Sequence, residues 1–120
     1  MIMRFLLTNN TLVKSKLEDK IRIEFCDISL KEILFRARDY VHMGYKLMSH
    51  PLSGSIKPNE TLYKTIMLDD KIEGLDMQSL KLIENSIIMA NNFEVRDIKI
   101  LEQHKEDMMT VDLSIISGRL

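Results

Sequence analysis

The polar segment at residues 50–61 concentrates most of the groups in this sequence that could bind or transform a ligand. A short connecting turn needs only one glycine, proline or asparagine to set its backbone, so this density of polar groups exceeds what a turn requires. We therefore predict a ligand site in this segment. Its candidate ligand-binding residues supply an imidazole, hydroxyls, an accessible backbone amide, an ammonium, a side-chain amide and a carboxylate, and they are His50, Ser53, Gly54, Ser55, Lys57, Asn59 and Glu60.

Two asparagines near the start of the chain, Asn9 and Asn10, are further candidate ligand-binding residues. They follow an apolar run at residues 3–7, which is typical of a strand that is buried on both faces. Amide groups beside the hydroxyls, the backbone N–H groups and Lys57 of the longer segment would suit a carboxylate or a phosphate. The alternative is that Asn9 and Asn10 cap the helix that follows them, and the two asparagines can differ in this respect.

His50 is the candidate catalytic residue, because imidazole titrates near neutral pH and can act as a general acid or base. The alternative is a structural histidine that bonds a loop carbonyl. Lys57 and Glu60 could bind a substrate or pair with each other, and Asn59 could shape the turn. The sequence contains no cluster with the spacing of a zinc site and no glycine-rich nucleotide fingerprint. We therefore expect neither a metal nor a cofactor.

The composition excludes several classes of protein. With 120 residues, of which 45% are hydrophobic, the chain is long enough for one core and too short for two domains. The 17 basic and 18 acidic residues are not segregated, so we expect no nucleic-acid partner. Cys26 is the only cysteine and cannot form an internal disulfide. The segment at residues 1–7 is apolar apart from Arg4 but too short for a signal peptide or a membrane span, so we expect a cytoplasmic protein with no membrane partner.

The hydrophobic pattern predicts strands at residues 3–7, 21–26, 46–49 and 65–68. The first is apolar enough to be a central strand, whereas the second alternates and should lie at an edge. Ser29 and Glu32 form the sequence pattern of a capping box, and the helix that they begin should end at Gly44. Asp76 can cap a second helix, and Asp112 precedes the apolar residues of a short last helix.

This order of strands and helices predicts a small Rossmann-like α/β domain, with a mostly parallel sheet of three to five strands flanked by helices. The third strand would lie beside the first, so that the strand order reverses between them and leaves a crevice. The polar segments at residues 8–10 and 50–60 would then meet at the carboxyl edge of the sheet. We expect residues 1–120 to form one domain, on which a C-terminal helical segment at about residues 97–120 packs.

Three stretches of this sequence resemble the GrdX family: Leu7-Thr8-Asn9-Asn10, His50-Pro51-Leu52-Ser53-Gly54-Ser55-Ile56-Lys57-Pro58-Asn59-Glu60-Thr61 and Leu80-Lys81-Leu82-Ile83-Glu84-Asn85. The resemblance runs from the first strand to the helix that ends near Asn91. It implies a setting beside the selenium-dependent glycine, sarcosine or betaine reductases of anaerobic amino-acid fermenters. The chain has no selenocysteine and no redox cysteine pair, so the resemblance implies an accessory role and not reductase activity.

Our leading hypothesis is therefore an accessory protein of unassigned activity that binds a small anionic metabolite during glycine or betaine reduction. One alternative is a small enzyme in which His50 is the acid or base. The other is an adaptor that docks on a reductase component. The sequence makes no prediction of the oligomeric state.

Overall fold

Strands and helices alternate through most of the chain in the computed structural model, which describes residues 4–52, 60–71, 74–92 and 98–120. The elements are β1 (Arg4–Thr8), α1 (Thr11–Leu17), β2 (Arg22–Phe25), α2 (Leu30–His42), β3 (Lys46–Leu47), β4 (Thr65–Asp69), α3 (Met77–Asn92), α4 (Ile98–Gln103) and α5 (Lys105–Ser117).

Local signals set the ends of the helices α2 and α3. Ser29 Oγ accepts the Glu32 N–H at 3.2 Å, and Glu32 Oε1 accepts the Ser29 N–H at 3.4 Å, which confirms the predicted capping box. Gly44 follows α2 with a φ of 102°, a conformation that glycine adopts without steric cost, so the predicted helix end is also confirmed. Asp76 Oδ2 accepts the Ser79 N–H at 3.0 Å and caps α3 as predicted.

The sheet has the strand order β2-β1-β4-β3, and only one of its three strand pairs is parallel. β1 and β2 run in the same direction, whereas β4 is antiparallel to both of its neighbours. The prediction of a mostly parallel, Rossmann-like sheet is therefore wrong. β1 is central and β2 is an edge strand, as predicted, but β4 lies beside β1 in the place predicted for the third strand.

The connection between β3 and β4 explains this error. A parallel neighbour needs a long crossover that is usually helical, whereas a loop is enough to join antiparallel neighbours. The sequence between these strands contains both prolines of the chain and a Ser-Gly-Ser step, and it carries no helical pattern. This polar connection therefore favours an antiparallel strand, which inserts between β1 and β3 and fills the crevice that a parallel order would have left.

The sheet lies between two layers of helices. On one face Phe5 and Leu7 pack with residues of α2 and α3, and on the other face Leu6 packs with residues of α1 and α5. These three side chains are completely buried, which confirms that β1 is covered on both faces. Within the described parts of the chain, no helix is long and apolar enough to cross a membrane.

Helix α5 is attached to the sheet through a buried carboxylate. Asp112 was predicted to precede a short helix but lies inside α5, because the helix continues through it from Lys105 to Ser117. Asp112 Oδ1 accepts the Thr65 N–H at 3.2 Å, and Asp112 Oδ2 accepts the Thr65 hydroxyl at 2.7 Å and the Asn10 amide at 3.0 Å. The carboxylate thus satisfies three donors from β4 and from the turn after β1.

A chain of hydrogen bonds leads from Asp112 through Thr65 to Thr8, and its donors and acceptors can be assigned. Because the Thr65 hydroxyl donates to the carboxylate, the Thr8 hydroxyl must donate to Thr65 Oγ1, at 2.7 Å. Thr8 Oγ1 in turn accepts the Asn10 N–H at 3.0 Å. Such chains polarise their members in a low-dielectric interior, so each bond strengthens the next.

Asp112→Ala should lower the free energy of unfolding by about 3 kcal/mol, because it leaves two Thr65 donors and one Asn10 donor buried without an acceptor. Ser114→Ala, on the exposed side of the same helix, is the matched control and should change stability by less than about 0.5 kcal/mol. Urea denaturation monitored by circular dichroism measures both. An Asp112→Ala variant as stable as the control would contradict this role of the carboxylate.

Candidate functional site

A cavity of about 520 Å³ opens at the edge of the sheet where β3 ends and β4 begins. β1 and β3 run in the same direction, so both of their carboxyl ends lie at this edge, with the first residues of β4 between them. Residues of α3 and α5 complete the cavity wall. The described polar residues that line it are Ser49, His50, Lys64, Thr65 and Arg119.

Lys64 is the most unusual of these residues, because the residue is only 6% exposed and yet carries an ammonium. No acidic side chain among the described residues forms an ion pair with it. Burial lowers the pKa of the Lys64 ammonium, and the attraction of the nearby Asp112 carboxylate is too weak to offset this effect. The cavity therefore has a desolvated cation in its wall.

Asn9 holds the backbone beside this cation. Asn9 Oδ1 accepts the Lys64 N–H at 2.9 Å, and Asn9 Nδ2 donates to the carbonyl oxygens of Ile28 and Leu62, both at 2.9 Å. The side-chain amide is thus engaged through all of its polar atoms, and Asn9 is not among the residues that line the cavity. Its observed interactions fix the start of β4 and position Lys64.

Asn10 acts as the cap that was one of its two predicted roles. Its Oδ1 accepts the Leu12 N–H at 3.0 Å at the beginning of α1. Its Nδ2 donates to Asp112 Oδ2 and to the Met109 carbonyl, both at 3.0 Å, and the residue is completely buried. Asn10 therefore joins α1 to α5.

His50 is exposed and lines the cavity. Its Nδ1 accepts the Leu52 N–H at 3.0 Å, so Nδ1 carries no proton in this conformation. The neutral ring must then carry its proton on Nε2, which makes that atom a hydrogen-bond donor. A base at Nε2 would need the other tautomer and would lose the bond to Leu52. The observed geometry suits recognition of an acceptor better than proton abstraction.

Ser49 adds a second neutral donor. Its Oγ accepts the Met67 N–H at 2.9 Å, which leaves the hydroxyl proton to be donated. The hydroxyl of Thr65 is committed to Asp112. The cavity therefore offers donors from Ser49, His50 and Lys64, and the exposed residue Arg119 also lines it.

The other predicted site residues do not line this cavity or fall outside the described residues. Glu60 is exposed and does not contribute to the cavity wall. In the chain parts that the structure describes, no group of three or more His, Cys, Asp and Glu residues could hold a metal ion. The predictions for residues 53–59 lie outside the described residues, and they concern Ser53, Gly54, Ser55, Lys57 and Asn59.

The family model described as GrdX-like protein matches residues 5–120. The chain belongs to the GrdX-like family. The match extends past Asn91, where the resemblance in the sequence ended, and includes α5 with its cavity residues. No curated protein and no solved structure matches this GrdX-like chain.

Sequence reasoning did not identify Lys64, Ser49 or Arg119 as site residues of this GrdX-like chain. A signal for Lys64 was present, because a lysine so close to the apolar run at residues 66–68 is placed at the boundary of the core. Ser49 follows a strand of only two residues, and Arg119 lies far away in the sequence. Only the insertion of β4 beside β3 and the docking of α5 bring these residues together.

We expect Lys64→Met to raise the free energy of unfolding of this GrdX-like protein at pH 7 by about 1–2 kcal/mol, because it removes a buried cation while keeping the side chain long and apolar. The lowered pKa of Lys64 fixes the sign of the pH dependence. The unfolded chain binds more protons than the folded chain between that lowered pKa and the ordinary value of 10.5, so the parent should gain stability relative to the variant across this window.

Lys16→Met, which removes an exposed lysine from α1, is the charge-matched control and should change stability by less than about 0.5 kcal/mol. Urea denaturation at pH 7, 8 and 9 tests both variants. A loss of stability in Lys64→Met at pH 7 would mean that the ammonium has a stabilising partner.

Proposed function

We propose that this GrdX-like protein is an accessory binding protein whose cavity takes a small anionic metabolite, in the setting of glycine or betaine reduction. The proposal rests on the buried ammonium of Lys64. No acidic side chain of the described residues forms an ion pair with it. The reductase setting is supported by the family to which the chain belongs.

A desolvated cation is costly in a folded protein unless an anion neutralises it. Structural lysines avoid this cost by extending to the solvent, whereas Lys64 remains buried beside a cavity large enough for a metabolite. Perturbed ionisable groups in clefts mark functional sites more often than chance would predict. A bound carboxylate or phosphate would supply the missing negative charge.

The neighbouring groups are suited to the same ligand. Ser49 and His50 both line the cavity, and each has a donor that no described residue satisfies. Several convergent donors around one cation would orient an anion and distinguish it from a neutral molecule. Because the His50 tautomer favours a donor at Nε2, we propose binding and not acid or base catalysis at this residue.

Isothermal titration calorimetry at pH 7 with acetate and with inorganic phosphate tests the proposal. The parent protein should bind at least one of these anions, and Lys64→Met should bind it about 10- to 100-fold more weakly, since a charge-assisted hydrogen bond contributes about 1.5–3 kcal/mol. Lys16→Met, which changes the net charge equally, should bind as the parent does.

Two results would overturn the proposal. One is that neither anion binds to the parent protein at millimolar concentration. The other is that Lys64→Met and Lys16→Met bind equally, which would place the anion elsewhere on the surface or reduce the effect to net charge.

A further inference from the structure

Four side chains of the cavity wall are apolar. They restrict the possible ligands more than the positive charge of the cavity does. Leu52 and Ile116 are buried, whereas Met89 on α3 is 51% exposed and Ile115 on α5 is 39% exposed. A bare inorganic anion would contact the donors and leave these two large side chains in water. A ligand with an aliphatic part would cover them.

The charges of the site exclude ligands that carry a cationic group. Among the described residues that line the cavity, none has a carboxylate, and none is a phenylalanine, tyrosine or tryptophan. An ammonium would therefore lie near Lys64 and Arg119 without a counter-charge, and a quaternary ammonium would lack the aromatic cage that usually holds it.

Among the described residues, the carboxylates of Asp112 and Asp76 lie near the cavity, but both are engaged in structural hydrogen bonds. Asp112 lies behind Thr65 and accepts three hydrogen bonds. Asp76 lines an adjoining cavity of about 250 Å³, where its Oδ2 accepts the N–H and the hydroxyl of Ser79 at 3.0 and 2.6 Å. These bonds cap α3, and they lower the pKa of the Asp76 carboxyl.

We infer that the ligand of this cavity is a small aliphatic monocarboxylate without a cationic group, and not a zwitterionic amino acid or betaine. The inference rests on the proposed function. Its carboxylate binds at Lys64 with the donors of Ser49 and His50, and its alkyl chain lies along Met89 and Ile115. The site thus selects against zwitterions of the kind that the reductases of this setting consume.

Calorimetric titration with acetate, propionate, butyrate, glycine and betaine tests this inference. Affinity should rise about fourfold for each methylene from acetate to butyrate, the increment expected for burying one CH₂ group. Glycine and betaine should bind at least about tenfold more weakly than propionate, because their cationic groups have no partner.

The side chain at position 115 provides the matched variants. Ile115→Ser should remove most of the gain in affinity from acetate to butyrate. Val111→Ser changes a residue of α5 that is 42% exposed and is not part of the cavity wall. This variant should therefore show the same rise in affinity from acetate to butyrate as the parent protein. Both positions are exposed enough that the variants should fold.

The outcomes separate the two proposals. If neither inorganic phosphate nor any carboxylate binds to the parent protein, the proposed function fails, and this inference fails with it. If phosphate binds but no carboxylate does, only this inference fails. The inference of an aliphatic monocarboxylate is wrong if acetate binds but the affinity does not rise with chain length, or if glycine or betaine binds as tightly as propionate. The proposal of anion binding would stand in both cases. An equal loss in Ile115→Ser and Val111→Ser would also overturn the assignment of the alkyl site.

Discussion

The rest of the structure depends on the hydrogen bonds of the buried carboxylate of Asp112, a residue of α5. It accepts hydrogen bonds from Thr65 at the start of β4 and from Asn10 at the start of α1, and so joins the last helix to two elements that are distant in sequence. The residues of α5 that line the cavity are held in place by this attachment. A polar network inside the fold thus determines the shape of a site at its edge.

The direction of β4 has an equally direct consequence for the site. Because β4 runs antiparallel between β1 and β3, its first residues lie at the edge where those two strands end. Asn9 fixes the backbone of Lys64 there through the Lys64 N–H. The sheet therefore fixes the backbone of Lys64 at the cavity, where the residue is buried.

The parts of this fold that could be predicted from sequence are those with local causes. The capping box at Ser29 and the apolar run of β1 act within a few residues, so their patterns identified the elements correctly. Strand direction depends on how distant elements pack. The polar connection before β4 predicts a ligand site, but by itself it does not indicate that β4 is antiparallel. Family membership was recognised from the polar motifs, because they are long enough to be specific. The sequence places Lys64 near an apolar run, but its burial beside a cavity depends on how β4 packs with α3 and α5.

Central to this account is a Lys64 ammonium that is desolvated in the free protein and neutralised by a bound carboxylate. The most direct measurement is an NMR pH titration of the Lys64 side-chain nitrogen, assigned with Lys64→Met and recorded with and without saturating propionate. The account predicts a pKa below 10.5 in the free protein and a higher pKa in the complex. A pKa at or above 10.5 in the free protein, or one that propionate leaves unchanged, would contradict it.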